Sequence, residues 1–243
     1  MLKKKTTAFL CFLLCAQFIM GQERIIRPNI GLKWAPAGIG VGSLSLHAEY
    51  NFGKNSLTAN IGVPVAMHHN LSYDGKNADF NMKATSFLAG YRTYLSKKHM
   101  KGLYFEPFFK YLHHTSEGVG LAVLAGETVK MNFTNDYNGV GFGVQLGAQF
   151  LIRNKFIIDF FFLGPEVNAA RNNFTAMELS NTLPWTSSQA SEAESDIRTF
   201  IDKFPFIRNK VAVSLDQVNK TVRADFKGTI PGYRVGVSFG VAF

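Results

Sequence analysis

The chain is predicted to be all-β: eight antiparallel strands closed up-and-down into a barrel that crosses a membrane, with one long insert carrying a short helix and a hairpin. Three observations predict it. First, the last twelve residues place Tyr233, Val235, Val237, Phe239, Val241 and Phe243 at every second position, with Arg234, Gly236, Ser238, Gly240 and Ala242 between them. Alternation at period two is a strand with two unlike faces. A soluble sheet would turn its bulky face to a core and carry Lys, Glu, Thr or Gln outside. A second face of Gly, Ser, Ala and one Arg suits the cramped polar inside of a small barrel whose bulky face meets lipid. Second, the 243 residues include 23 Phe and 22 Gly at a mean hydropathy of +0.02. After the N-terminus, no apolar run is long enough for a transmembrane helix. Third, alternating segments of similar length recur along the chain.

Residues 1–21 read as an exported leader, with Lys3, Lys4 and Lys5, an apolar run from Ala8 to Met20, and Gly21 before an expected cleavage at Gln22. Cys11 and Cys15 both fall inside it, and Phe12-Leu13-Leu14 before Cys15 lacks the small residues that lipoprotein processing prefers. The expected mature chain, 22–243, therefore has no disulfide, thiolate nucleophile or Cys-metal site, and no cofactor is expected. Loss of three lysines lowers the formal net charge from +9 to about +6. No Lys/Arg tract interleaves with aromatics, so nucleic acid is not an expected partner, whereas anionic lipid headgroups are.

The first strand sets Pro28, Ile30, Leu32 and Trp34 against Arg27, Asn29, Gly31 and Lys33, and Ala35-Pro36-Ala37-Gly38 ends it. The second sets Leu44, Leu46, Ala48 and Tyr50 outward and Ser43, Ser45, His47 and Glu49 inward; Asn51 to Asn55 is a tight turn. The third, Leu57 to Met67, contains Pro64, which cannot donate to a ladder and predicts irregular pairing. His68 to Met82 reads as a polar loop. Further strands are expected at about 84–95, 102–114, 138–151, 156–166 and the terminus. Short turns after Tyr50, Leu95 and Leu151 alternate with longer loops, which puts both termini on one side.

Two segments exceed a minimal barrel. Thr115 to Asp136 contains Val129-Lys130-Met131-Asn132-Phe133, an alternation expected to prolong strands five and six beyond the membrane. Residues 167–229 form an insert between strands seven and eight. There Ser191-Glu192-Ala193-Glu194 has the capping-box pattern, and Ile197, Phe200, Ile201 and Phe204 recur at helical spacing before Pro205. Val211, Val213 and Leu215, then Val222, Ala224 and Phe226, read as a hairpin around 217–220.

An aromatic C-terminal residue with apolar residues two, four and six positions before it resembles the terminal strand of bacterial outer-membrane barrels, which their assembly machinery recognises; Phe239, Val241 and Phe243 would carry that signal. Over Ile26–Lys110 and Ile230–Phe243 the chain resembles the small eight-stranded OmpA/OmpX-like outer-membrane barrels of Gram-negative bacteria. Within them it is similar to a group with a Tyr-Arg-x-Tyr strand and a Gly-x-Tyr-x-x-Pro-Phe strand, here Tyr91-Arg92-Thr93-Tyr94 and Gly102-Leu103-Tyr104-Phe105-Glu106-Pro107-Phe108. The resemblance implies the outer membrane as location, outer-membrane lipid, lipopolysaccharide and the assembly machinery as partners, and a monomer. It implies no reaction.

Alternation places Arg27, Lys33, Glu49, Arg92, Glu106, Lys110, Asp159 and Arg234 on inward faces. Eight strands enclose only enough space for side chains, so these groups are expected to pair and close the lumen rather than line a channel. His68-His69 and His113-His114 fall at outer strand ends with a strand between them, roughly 10 Å apart and too far to share a metal ion. His114 and Ser116 share an inward face, while a lipid acyl chain would lie outside. A structural or surface-interaction barrel is therefore the expected role. The alternatives are an outer-membrane lipid-modifying enzyme of the lipid A deacylase type and a soluble lipocalin-like carrier, which would keep its apolar face inside.

Overall fold

The computed structural model describes residues 28–73, 76–96, 99–179 and 183–243. The expected leader and Arg27 lie outside them. Ten strands form one antiparallel sheet: β1 Ile30–Ala35, β2 Ser43–Phe52, β3 Asn55–Pro64, β4 Met67–Tyr73, β5 Lys76–Tyr94, β6 Gly102–Leu124, β7 Glu127–Ile152, β8 Phe156–Glu178, β9 Val211–Asp216 and β10 Thr221–Ala242. Eight of them close a ring in the order β1, β2, β3, β5, β6, β7, β8, β10 and back to β1, whose Gly31–Trp34 pair with Phe239–Ala242. β4 continues the line of β3 along β5, and β9 adds to the outer part of β10. The break between β3 and β4 falls at Pro64, where the missing N–H ends the ladder.

Register fixes the barrel's shape. A cross-strand row from Trp34 runs through Leu46, Ile61, Phe87, Tyr111, Val140 and Ala169 and returns to β10 at Thr229, ten residues from its starting partner Phe239. Eight strands with that stagger tilt by about 40° and enclose a Cα radius of about 8 Å, a space that side chains fill. Both ends of the described chain lie at one rim, where the Phe243 carbonyl accepts from the Asn29 N–H at 2.9 Å and Phe243 N–H donates to Ile30 at 2.9 Å. The short turns Phe52–Asn55, Leu95–Gly102 and Ile152–Phe156 share that rim.

Large apolar side chains stand outward on every ring strand: Leu32 and Trp34, Leu46 and Tyr50, Leu57 and Ile61, Phe87 and Tyr91, Leu103 and Phe105, Phe142 and Phe150, Phe156 and Phe160, Tyr233 and Phe239 are all exposed, Phe142 by 69%. Lys33, Glu49, Arg92, Glu106 and Asp159 are buried inside, Glu49 and Asp159 to 1%. This is the inverse of a carrier, whose apolar face would look inward.

Beyond the apolar belt the strands do not stop. The expected polar loop His68–Met82 is instead the β4–β5 hairpin, and β6, β7, β8 and β10 run well past the expected ends near His114, Asn138, Glu166 and Gly232. The bulky-out pattern ceases at those points because the outward residues Arg171, Asn173 and Thr175 face polar surroundings, while pairing continues from Val167↔Pro231 to Met177↔Thr221. The segment that leaves the ring is thus shorter than 167–229, lying between Glu178 and Thr221 and including β9.

Its helix, α1, spans Ser187–Asp202 and is capped five residues earlier than the sequence pattern suggested: Thr186 accepts from the Gln189 N–H at 3.3 Å, and Gln189 Oε1 accepts from the Thr186 N–H at 3.0 Å. Ser191 to Glu194 are interior to the helix. Ala190, Ala193 and Ile201 are buried and Ile197 packs beside them, whereas Phe200 and Phe204, expected on the same stripe, stay exposed. The helix lies over the inward faces of the extended strands, where Leu124, Val129, Met131, Ala176 and Val222 gather around Trp185, whose indole N–H donates to Glu178. Trp185→Ala is expected to loosen this cap by about 3–5 kcal/mol. Limited proteolysis in detergent should then cut within 183–210 at least tenfold faster while the barrel fragment survives; an unchanged rate contradicts the packing.

A charge network across the lumen and a polar outer face

Seven of the eight ring strands contribute to one polar cluster inside the barrel, toward the rim that carries both chain ends. Lys33 Nζ donates to Glu49 at 2.9 Å, to Gln149 at 2.9 Å and to Asp159 at 2.7 Å. Arg92 donates to Glu106 at 2.7 Å, to Gln149 at 2.8 Å and to Asp159 at 3.0 Å, with Glu49 at 3.4 Å. Tyr94 and Ser56 hydroxyls donate to Glu49 at 2.6 and 2.8 Å, Tyr104 to Asp159 at 2.7 Å, and Thr58 to Glu106 at 2.6 Å. Arg92 Cζ also lies over the Tyr104 ring, 3.7 Å from its centroid. Charge-assisted bonds of this length are the strong class, and every carboxylate oxygen of Glu49, Glu106 and Asp159 meets at least one donor.

Small residues make the room. A Cβ on Gly147 would stand 2.3 Å from the Tyr104 ring, and one on Gly90 would stand 2.5 Å from Glu106 Oε1. Space beside the network amounts to about 10 Å³, enough for one water, bounded by Lys33, His47, Asn60, Arg92, Gln145 and Arg234. Below, Met100, Leu151, Ile157 and Ala242 pack as an apolar floor at the terminal rim.

Of the inward charges expected from sequence, Lys33, Glu49, Arg92, Glu106 and Asp159 meet in this cluster. Arg234, on β10, stands apart: it donates to Gln145 at 2.7 Å and rests 4.5 Å above the Phe161 ring. Lys110 forms its own pair with Glu166, which also accepts from Asn168 at 3.1 Å. Sequence reasoning missed Glu166 because β8 carries one extra residue opposite Leu146–Gly147, which turns the even-numbered residues beyond it inward. It also missed Tyr94, Tyr104, Ser56, Thr58 and Gln149 as members; Tyr94 and Tyr104 alternate with Arg92 and Glu106, whereas β3 and β7 carry no recognised charge and offered only their inward alternation as a signal.

The histidines stay apart. His113 contacts Asp136 at 3.3 Å on the outward face. No hydrogen bond joins His114 to Ser116, and among the described residues no three His, Cys, Asp or Glu side chains converge on a metal-sized site. Farther out, the outward face of β5 to β8 forms a polar cavity of about 340 Å³, lined by Asn81, Lys83, Thr115, Glu117, Thr134, Asp136, Asn173 and Thr175.

Facing the lumen at one point is a non-strand segment. The 3-10 turn Pro36–Val41 fills the gap above the short strands β1 and β2, and Gly42 follows at φ 77. The Gly42 carbonyl accepts from Val65 at 2.9 Å and Ala84 at 3.0 Å, bridging the interruption at Pro64. A side chain there would meet the Met82 carbonyl at 2.3 Å, so only glycine fits.

No protein-family model and no curated protein matches this chain. Among solved structures, the crystal structure of CarO from Acinetobacter baumannii is similar, at 10% identity and a TM-score of 0.48, over 91% of this chain and 100% of that one.

Arg92→Met would leave Glu49, Glu106 and Asp159 facing one another without their shared cation and is expected to destabilise the barrel by roughly 3–5 kcal/mol in urea unfolding from lipid vesicles. Replacing Lys33 and Asp159 together by Met and Leu should cost less than the sum of the two single changes, because neither partner is left alone. Additive losses would contradict a coupled network.

Proposed function

We propose that this chain is an outer-membrane β-barrel whose lumen is closed by its charge network and whose role is exercised at the outer rim as a structural or surface-interaction protein. One observation carries this: on all eight ring strands the large apolar residues face out and remain exposed, while the buried charges face one another inside. In water such a surface would aggregate; in a bilayer it is the stable arrangement. The outward apolar run on β10, Phe243 to Tyr233, covers ten residues of rise, roughly 25 Å along the membrane normal once tilt is allowed for, which matches the apolar band of such barrels.

Closure of the lumen is supported by the water-sized space left beside Arg92 and by the apolar floor below it. Export through a cleaved leader, a monomeric state, contact with lipopolysaccharide, and assembly through Phe239, Val241 and Phe243 belong to the same proposal. Phe239 and Phe243 stand exposed on the outward face of β10, where a docking strand or lipid reaches them.

Two measurements test it. In the outer-membrane fraction, the unboiled protein should migrate faster on a denaturing gel than the boiled one, as an intact barrel does; a single boiled-like band in every sample would count against the fold in the membrane. In planar bilayers the folded protein should give no sustained conductance steps. Regular steps of porin size would overturn the closed lumen and leave the barrel itself standing.

A further inference from the structure

Beyond the apolar belt, the outward faces of β5, β6, β7 and β8 carry two adjacent cross-strand rows with no large apolar residue. The first is Lys83, Thr115, Asp136 and Asn173, and the second is Asn81, Glu117, Thr134 and Thr175. These are the side chains that line the polar cavity of about 340 Å³, completed by Ser116 and Asn135 between the rows. Strand register alone brings them together, and no loop contributes. Asn81, Thr115, Thr134 and Thr175 are half-buried, whereas Lys83, Glu117, Asp136 and Asn173 are exposed. Apart from the contact of Asp136 with His113 at 3.3 Å, none of the eight makes a hydrogen bond or ion pair among the described residues, and Asn81 Oδ1 is buried without a donor. The inward face of the same strands differs, since there Asn172 donates to Asn135 at 2.8 Å.

Charge and height narrow what such a cavity takes. Lys83 stands against Glu117 and Asp136, His113 lies beside the latter, and Arg223 and Asp225 continue the two rows onto β10. Opposite charges nearly cancel over the patch, so neither a phosphate nor an ammonium group finds an excess of counter-charge. Three threonine hydroxyls and two amides offer both donors and acceptors, the match for a neutral ligand rich in hydroxyl groups. The first row lies four residues beyond Phe87, Tyr111, Val140 and Ala169, and the second lies six beyond them, a rise of about 10–15 Å once strand tilt is allowed for. A headgroup layer adds only about 5–8 Å to each side of the hydrocarbon. In a bilayer the cavity would open sideways above the phosphates, at the level that the sugars of neighbouring lipids occupy.

We infer that this cavity binds the neutral saccharide of a glycolipid in the surrounding outer leaflet. Thr115, Thr134 and Thr175 with the amides of Asn81 and Asn173 bond the sugar hydroxyls, and Glu117 and Asp136 accept from those that turn outward. The volume is within the range of small-molecule sites. The assignment rests on the membrane orientation proposed above and adds a ligand class and its residues to it.

The test uses the full protein in nanodiscs of phosphatidylcholine containing small, equal fractions of digalactosyl diacylglycerol, diacylglycerol and phosphatidylglycerol. Native mass spectrometry reads which lipid stays bound after release from the disc. The wild-type protein should retain the digalactosyl lipid at least tenfold over its share, and the sugar-free and anionic lipids at their share alone. The variant T115V/T134V/T175V keeps the shape and strand propensity of each residue and removes only the hydroxyl. It should lose most of the preference, on the scale of three neutral hydrogen bonds. A control with Thr85→Val and Thr229→Val, outward but outside the cavity, should keep it. Should the triple variant fail the heat-mobility test, T134V alone serves, with a smaller loss. Equal retention by the variant, retention of phosphatidylglycerol above the glycolipid, or full displacement by a millimolar free galactose disaccharide each overturns the inference, the last by assigning a free-sugar site. A protein that never enters the disc contradicts the membrane reading instead, so the two failures are distinct.

Discussion

A charged side chain removed from water must meet its counter-charge, and this molecule is arranged around that requirement. Lys33 and Arg92 reach the centre of the barrel from β1 and β5, and Glu49, Glu106 and Asp159 reach them from β2, β6 and β8. The five groups leave one negative charge in excess, and Arg234, one layer away against Gln145 and Phe161, supplies the balancing cation. Lys33–Glu49 and Arg92–Glu106 join neighbouring strands, but the contacts of both cations with Asp159 and Gln149 form only once the sheet has closed, since β7 and β8 are far from β1 and β5 in sequence. Breaking one member leaves the others buried without compensation, so the network holds the ring in one register more firmly than its own net energy would suggest.

Closure in turn decides the outer surface. With charges committed to the inside and alternation fixed at two, every other residue must face outward, and most of those residues are Leu, Val, Ile, Phe, Tyr and Trp over the height of the belt, with Ala48, Ala89 and Pro107 among them. Above it the logic inverts. The inward faces of the prolonged strands become apolar, with Val129, Met131 and Ala176 under α1, and the outward faces become polar at Arg171, Asn173 and Thr175. One continuous set of strands thus turns an apolar outer face below and a polar one above, and the change of face marks the boundary between the two.

Much of this was legible in the sequence. The alternation of Tyr233 to Phe243, the turn at Asn51–Asn55 and the break at Pro64 were read directly, because each rests on local chemistry: period two, turn propensity, a missing N–H. Strand ends were not. The sequence pattern sought was bulky residues facing lipid, and it ceases at Val167 and Tyr233 although hydrogen bonding continues for many residues on either side. Glu166 was hidden by the extra residue in β8, which reverses alternation between Phe161 and Leu163; Gly164-Pro165 just after it was the available sign. The helix was expected, and Ile197 and Ile201 of its stripe are packed, but Phe200 and Phe204 have the same spacing and stay exposed, while Ala190 and Ala193 take the contact with Trp185.

The central claim, that the outward residues of the ring stand in hydrocarbon, has a direct measurement. The described chain has two tryptophans in opposite surroundings: Trp34, 38% exposed on the outward face of β1, and Trp185, 2% exposed beneath α1. In a Trp185→Phe variant folded into bilayers, the emission of Trp34 should be quenched strongly by lipids brominated along their acyl chains and little by acrylamide in the water. Strong acrylamide quenching with no effect of the brominated chains would place Trp34 in water and contradict the account.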